Sequence, residues 1–259
     1  MDLQLNNRLA LVSGSTAGIG YSIAEALLRE GARVIVNGRS QASVDAAVAK
    51  LGAGAIGFAG DLATAQAAEA VVHAHPDIDI LVNNLGIFEP KAFEDIPDED
   101  WLRFFEVNVL SGARLARLVL PGMKRRNWGR ILFISSESGV QIPAEMVHYG
   151  MTKSAQIAIA RGIAESVAGS GITVNSVLPG PTRSRGVEDF VQALARDSGQ
   201  SFEAFEKEFF EKVRPTSLIK RFATTEEVAA MVTYLCSPLA SATTGAALRV
   251  DGGTVKSAF

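Results

Sequence analysis

Seven short apolar runs punctuate the chain, and longer stretches of mixed polarity separate them. The runs are Arg8–Ser13, Arg33–Val36, Ile56–Gly60, Asp79–Val82, Arg130–Ile134, Ile172–Leu178 and Gly245–Val250. Each is four to seven residues long and flanked by Gly, Pro, Asn or Ser, which is the signature of a buried strand. Between them the apolar period changes to that of a helix. Ile23, Ala24, Leu27 and Leu28 share one face, and so do Val44, Ala47, Val48 and Leu51 within Gln41–Leu51. Trp101, Phe104, Phe105, Val109, Leu115, Leu118 and Val119 predict a long helix over Asp98–Leu120, and a second long helix spans Thr152–Ala168. Thr224 or Thr225 caps a last helix with Glu226 and Glu227 in its first turn. Strand and helix in alternation predict an α/β fold, a doubly wound parallel sheet of about seven strands with helices on both faces. Ligands of such sheets bind at the carboxyl ends of the strands.

Composition narrows the class. Hydrophobic residues make up 47% of the 259 and charged residues 20%, which suits a globular chain with one large core. A net charge of −3 offers no general attraction to nucleic acid or an anionic membrane. Cys236 is the single cysteine, so no intrachain disulfide forms, and His73, His75 and His148 are too scattered for a zinc site. The N-terminus has no charged start leading into a long apolar run, and no stretch reaches the roughly 20 apolar residues of a membrane span. The expectation is a cytoplasmic protein without a metal.

Two motifs carry chemistry. Gly14-Ser-Thr-Ala-Gly18-Ile-Gly20 joins the first strand to the first helix, and a second strand follows within about thirty residues. Glycines there let the backbone approach a pyrophosphate, and the helix N-terminus presents free N–H groups to it. The other motif is Tyr149-Gly-Met-Thr-Lys153, with Ser136 thirteen residues earlier at the end of a strand. Positions i and i+4 share a helix face, so the Lys153 ammonium is expected near the Tyr149 phenol, lowering its pKa toward that of a general acid/base. Alone this spacing is weak, because such pairs are common on helix surfaces. A glycine loop in the same chain strengthens it.

G-x-x-x-G-x-G together with Y-x-x-x-K resembles the short-chain dehydrogenase/reductase family in its single-domain branch, including the 3-oxoacyl-(acyl-carrier-protein) reductase-like oxidoreductases. Ser13 stands where the family usually has threonine and keeps the hydroxyl. The resemblance implies one Rossmann-like dinucleotide-binding and catalytic domain over 1–259. It makes Tyr149 the general acid, Ser136 a hydrogen-bond donor to the reacting oxygen and Lys153 the partner of tyrosine and nicotinamide ribose. Asn108 is to break the long helix and anchor a water against the lysine. Cofactor contacts are implied for Gly14, Ser15, Thr16, Gly18, Ile19 and Gly20, for Asp61 and Leu62 beside the adenine, and for Asn84 and Gly86. Tyr149, Lys153, Pro179, Gly180 and Thr182 complete that set. Leu85 replaces a usual alanine, so local packing is expected to differ. No acid stands near Gly38 to receive ribose hydroxyls and Arg39 follows, which suits a 2′-phosphate and favours NADP(H), with NAD(H) the alternative.

Residues 183–214 predict a helical substrate lid: Val187, Phe190, Val191 and Leu194 mark one amphipathic helix, Phe202, Phe205, Phe209 and Phe210 another. The phenylalanines are either the packing seam of the lid or an apolar wall of the pocket. Three functions compete. The favoured one is NADPH-dependent reduction of a ketone, aldehyde or β-keto ester, a small carbonyl/alcohol substrate with an apolar part if the phenylalanines face it; NAD-dependent alcohol oxidation is its mirror. The second acts on 3-oxoacyl groups of an acidic acyl carrier protein, docked by Lys124, Arg125 and Arg126. Against it, Glu188, Asp189, Asp197, Glu203, Glu206, Glu208 and Glu211 outnumber Arg196 and Lys207 nearby. The third is a non-catalytic nucleotide-binding sensor. Family resemblance also implies a homotetramer through the two long helices and the last strand, where Ala155, Ala158, Ala160, Gly162 and Ala164 permit close packing.

Overall fold

The structure is a computed structural model, and it describes residues 1–184 and 201–258. Seven parallel strands form one sheet. They are β1 (Leu9–Val12), β2 (Arg33–Gly38), β3 (Ala55–Ala59), β4 (Ile80–Asn83), β5 (Gly129–Ile134), β6 (Ile172–Pro179) and β9 (Ala247–Val250). Their order across the sheet is β3-β2-β1-β4-β5-β6-β9. All seven coincide with the apolar runs. Strand order reverses between β1 and β4, which opens a crevice at their carboxyl ends.

Side-chain alternation builds two cores from one sheet. Ala10, Val12, Val34, Val36, Ile80, Val82, Leu132 and Ile134 face one way. There they meet Ile23, Ala24 and Leu27 of α1 (Gly18–Arg29), Ala47 of α2 (Gln41–Leu51) and Val228, Val232 and Leu235 of α8 (Thr225–Cys236). Leu9, Leu11, Ile35, Leu81, Ile131 and Phe133 face the other way. They pack on Ala68 and Val71 of α3 (Ala65–Ala74), Leu115 and Val119 of α5 (Ser111–Arg126), and Ala160 and Ala164 of α6 (Val147–Ser166). A period of two on each strand thus places three helices on each face, as a doubly wound fold requires.

Three local differences from the sequence expectation have physical causes. The sequence pattern does not mark helix α3, because only Ala68 and Val71 of it are buried and the apolar signal is faint; Thr64 caps it by accepting from Ala67 N. The helix expected over Asp98–Leu120 is three pieces in continuous sequence: α4 (Asp98–Phe105), a π-helical segment (Glu106–Leu110) and α5. The expected start of the second long helix at Thr152 is also too late. Helix α6 begins at Val147, so Tyr149 and Lys153 occupy the same helix.

A second, two-stranded sheet pairs β7 (Thr182–Arg183) with β8 (Ala223–Thr224) beyond the end of β6. Of the expected lid, α7 (Phe202–Lys212) is present. Val187, Phe190, Val191 and Leu194, with Glu188, Asp189, Arg196 and Asp197, lie outside the described residues. Among the described residues no helix is long and apolar enough to cross a membrane.

Candidate active site

The glycine loop is held from three sides. Gly14 and Gly18 have φ of +61° and +58°, values that side chains rarely adopt. A Cβ on Gly20 would lie 2.5 Å from both Asn84 Nδ2 and Gly14 O, so only glycine fits there. Asn84 Nδ2 donates to Ser13 O and Gly14 O, each at 3.0 Å, and Ser13 Oγ accepts from Asn84 N and Leu85 N. Asn37, which lies outside both sequence motifs, accepts from Gly14 N at 3.1 Å and donates to Phe58 O and Gly60 O. No side chain caps the N-terminus of α1, whose first-turn N–H groups remain available to an anion.

Several expected cofactor residues act here as scaffold. Ser15 Oγ donates to Val12 O at 2.7 Å and accepts from Asn37 N at 2.9 Å, which locks the loop to β1 and β2. The Leu62 side chain is buried in the core, and Asp61 accepts from Ala63 N in its own turn. A Cβ on Gly38 would come within 2.6 Å of Thr16 Cγ2, so an acidic side chain there would displace Thr16. Arg39, one residue on, is exposed.

Past the loop, a cleft of about 200 Å³ runs from Ile19 and Asn84 to Tyr149 and Lys153, with Pro179, Gly180 and Thr182 on its walls. Gly86 sits where Asn108 and Lys153 converge: a Cβ added to it would be 3.5 Å from Asn108 Oδ1 and from Lys153 Nζ. Asn108 lies in the π segment, where its side chain accepts from Ile87 N at 2.7 Å and donates to Ile87 O at 2.9 Å and Thr152 Oγ1 at 3.0 Å. Its carbonyl, freed by the irregular ladder, accepts from Gln156 Nε2 at 2.5 Å.

Lys153 is buried. Its ammonium donates to Ile134 O at 2.9 Å and to Gln156 Oε1 at 3.3 Å, and burial pulls its pKa down to about 8. Gln156 therefore ties the lysine to the Asn108 backbone. It was missed in the sequence, although its place one turn beyond Lys153 on the same face is a usable signal. The Tyr149 phenol departs from expectation. Burial pushes its pKa up, the neighbouring Ser136 hydroxyl opposes that only in part, and Lys153 adds no lowering. The reason is positional: Lys153 Nζ stands 5.5 Å from the tyrosine ring centre and spends two donors on other oxygens.

A second cleft, about 160 Å³, adjoins Tyr149 and Ser136. Phe88, Met146 and Phe209 supply its apolar lining, and Glu137 and Arg214 its charge. Of the lid phenylalanines, Phe209 faces this cleft. Phe210 is buried against Phe209 and Phe222, and Phe202 packs on Phe222, so both alternatives for these side chains hold in part.

Arg126 and Arg130, near the end of α5 and the start of β5, are held within the fold. Arg126 pairs with Asp77 and Asp79 and donates to Ile78 O at the C-terminal end of α5. Arg130 is buried; its guanidinium donates to Ser237 O, Gly129 O and Gly171 O and lies 4.5 Å from the Trp128 ring centre.

A parallel sheet with a glycine-loop crevice, and a serine, tyrosine and lysine grouped at its carboxyl edge, define a nucleotide-dependent oxidoreductase. Comparison with known proteins agrees. The family model described as enoyl-(acyl carrier protein) reductase matches residues 14–255. The uncharacterized oxidoreductase YvrD of Bacillus subtilis (strain 168) is 50% identical over 262 residues, covering 99% of this chain and 100% of that protein. A D-beta-hydroxybutyrate dehydrogenase of Cupriavidus necator is 36% identical, covering 97% and 99%. The crystal structure of L-sorbose reductase from Gluconobacter frateurii, complexed with NADPH and L-sorbose, superposes with a TM-score of 0.94 at 31% identity, covering 99% of this chain and 100% of that one. The chain belongs to the short-chain dehydrogenase/reductase family and is an NAD(P)-dependent oxidoreductase acting on CH–OH and C=O groups.

Proposed function

We propose that this chain is an NADPH-dependent carbonyl reductase formed of one domain, with Tyr149 as its general acid. The observation that carries the reading is the junction of two clefts at Tyr149: one leads to the glycine loop, the other is lined by Ser136, Phe209 and Arg214. The first cleft fits a dinucleotide. Its loop glycines leave room that side chains would fill, the N-terminus of α1 is uncapped, and Lys153, Gly180 and Thr182 lie at the far end. When bound, the reduced nicotinamide supplies a hydride to the carbonyl carbon.

The protein groups handle the oxygen and the proton. As negative charge grows on the carbonyl oxygen, Ser136 Oγ–H donates to it and Tyr149 transfers its proton, giving the alcohol. A phenol kept protonated by burial is in the form a proton donor needs. The Lys153 ammonium, held by Ile134 O and Gln156 Oε1, anchors the cofactor ribose. Asn108 positions the water from which the proton is replaced.

NADPH is favoured over NADH because glycine at 38 leaves no acid for ribose hydroxyls and Arg39 stands exposed beside the loop. The NADPH-bound L-sorbose reductase is a neighbour that supports the same choice. Acyl-carrier docking is less supported: Arg126 is already paired, and α7 adds Glu203, Glu206, Glu208 and Glu211. The same reading includes a homotetramer. Ala158 and Gly162 lie on the outward face of α6, while Leu102, Phe105 and Leu110 of α4 and the π segment are 70%, 44% and 37% exposed.

Fluorescence titration with NADPH and NADH, repeated with Arg39→Ala, tests the cofactor choice. NADPH should bind more tightly, with the preference lost in the variant. Tighter NADH binding in both proteins would reverse the assignment and direct the search to alcohol oxidation.

A further inference from the structure

The turn after β5 holds a carboxylate that the reduction scheme does not use. Glu137 is 5% exposed. Its Oε2 accepts from Ser136 Oγ at 2.5 Å, Ser138 N at 2.6 Å and Ser138 Oγ at 2.9 Å. Oε1 accepts from Arg214 Nε at 3.2 Å, and Arg214 Nη1 continues to Glu145 Oε1 at 3.1 Å. Glu137 and Arg214 line the same cleft as Tyr149.

A serine hydroxyl has one proton to give. Ser136 gives it to Glu137 here, and carbonyl reduction asks Ser136 to give it to the substrate oxygen. A plain ketone that takes this bond strips a donor from a buried carboxylate, which is unfavourable. A substrate bearing a hydroxyl on the carbon next to the carbonyl returns a donor to Glu137 as Ser136 leaves it. An anionic group in the place of that hydroxyl has no proton to give Glu137 and sets its charge against the carboxylate, which is unfavourable.

We propose that Glu137, braced by Arg214, is a specificity-determining residue that accepts the hydroxyl of a neutral hydroxycarbonyl substrate and disfavours anionic ones. This rests on the reading of Ser136 and Tyr149 as the groups that meet the reacting oxygen. The hydroxyl is recognised beside the reacting carbon because Glu137 Oε2 is one hydrogen bond away from Ser136 Oγ.

The test uses the full chain and NADPH with 3-hydroxy-2-butanone, its deoxy analogue 2-butanone, and acetoacetate, comparing wild type with Glu137→Gln and Glu137→Ala. Wild type should prefer the hydroxyketone over 2-butanone by roughly ten- to hundredfold in kcat/KM, the range of one charge-assisted hydrogen bond. Acetoacetate should be the poorest of the three. The preference should shrink in Glu137→Gln and approach unity in Glu137→Ala. Thermal melting checks that the variants fold, and the wild-type ranking stands without them. An unchanged ratio in folded variants, or a wild-type preference for acetoacetate, overturns the proposal and leaves the reductase reading intact. Absence of turnover with every carbonyl tried, with NADPH or NADH, overturns both.

Discussion

Replacing Asn108 by alanine removes three hydrogen bonds of 2.7, 2.9 and 3.0 Å from a side chain that is 1% exposed. Two of them go to Ile87, whose N–H and C=O lie on the exit from β4 and have Asn108 as their partner. At about 1 kcal/mol net per bond, the loss is about 3 kcal/mol, and more if the Ile87 groups stay shielded from water. For a chain of this size that corresponds to a fall in Tm of roughly 6–12 °C. Gly86, which that exit carries, faces Lys153 Nζ, so turnover should fall further than stability alone explains. Asn108→Asp keeps an oxygen for Ile87 N and should recover part of the stability. The assay is thermal unfolding at fixed protein concentration beside NADPH oxidation with a carbonyl substrate. A Tm within about 2 °C of wild type and undiminished turnover would refute the claim that this side chain holds the β4 exit in place.

Two further predictions concern parts of the molecule away from the reacting atoms. His148 is wholly buried beside Trp101 and Phe104, and burial holds its pKa below the usual 6.5. The unfolded chain binds the proton first, so stability should fall as pH drops below about 6.5, by at most about 1.4 kcal/mol per pH unit. Urea midpoints at pH 7.5 and 5.5 should differ more for wild type than for His148→Leu; equal differences would clear His148 of the effect. Gly162 sits inside α6, and a Cβ added there would meet nothing within 4 Å among the described residues, so no contact with them requires glycine, which costs a helix about 1 kcal/mol relative to alanine. Gly162→Phe should therefore leave the fold intact and shift sedimentation toward smaller species, whereas an unchanged sedimentation coefficient would remove this helix from the interface.

The sheet was legible because parallel strands buried on both faces are continuously apolar, and all seven runs became strands. Helix ends were less so. Val147 and His148 begin α6 without a side-chain cap, so nothing in the sequence marks the start, and the tyrosine was placed ahead of its helix. Asn108 stood out because asparagine is costly inside a helix, and the π segment with three side-chain bonds accounts for it. The phenol was misjudged because spacing reports which face a lysine occupies, not where its ammonium points; Ile134 O and Gln156 decide that. Glu137 and Arg214 are 77 residues apart and meet only through the fold, so no local pattern announced them.

In the proposed reaction the proton passes from Tyr149 to the carbonyl oxygen. The most direct test of this transfer is Tyr149→Phe, with NADPH binding and NADPH-dependent turnover of a hydroxyketone measured on the same preparation. Cofactor affinity should stay close to wild type while kcat falls by roughly two to four orders of magnitude, the usual contribution of a positioned acid. Turnover comparable to wild type with intact binding would contradict the account and require another proton donor at this cleft.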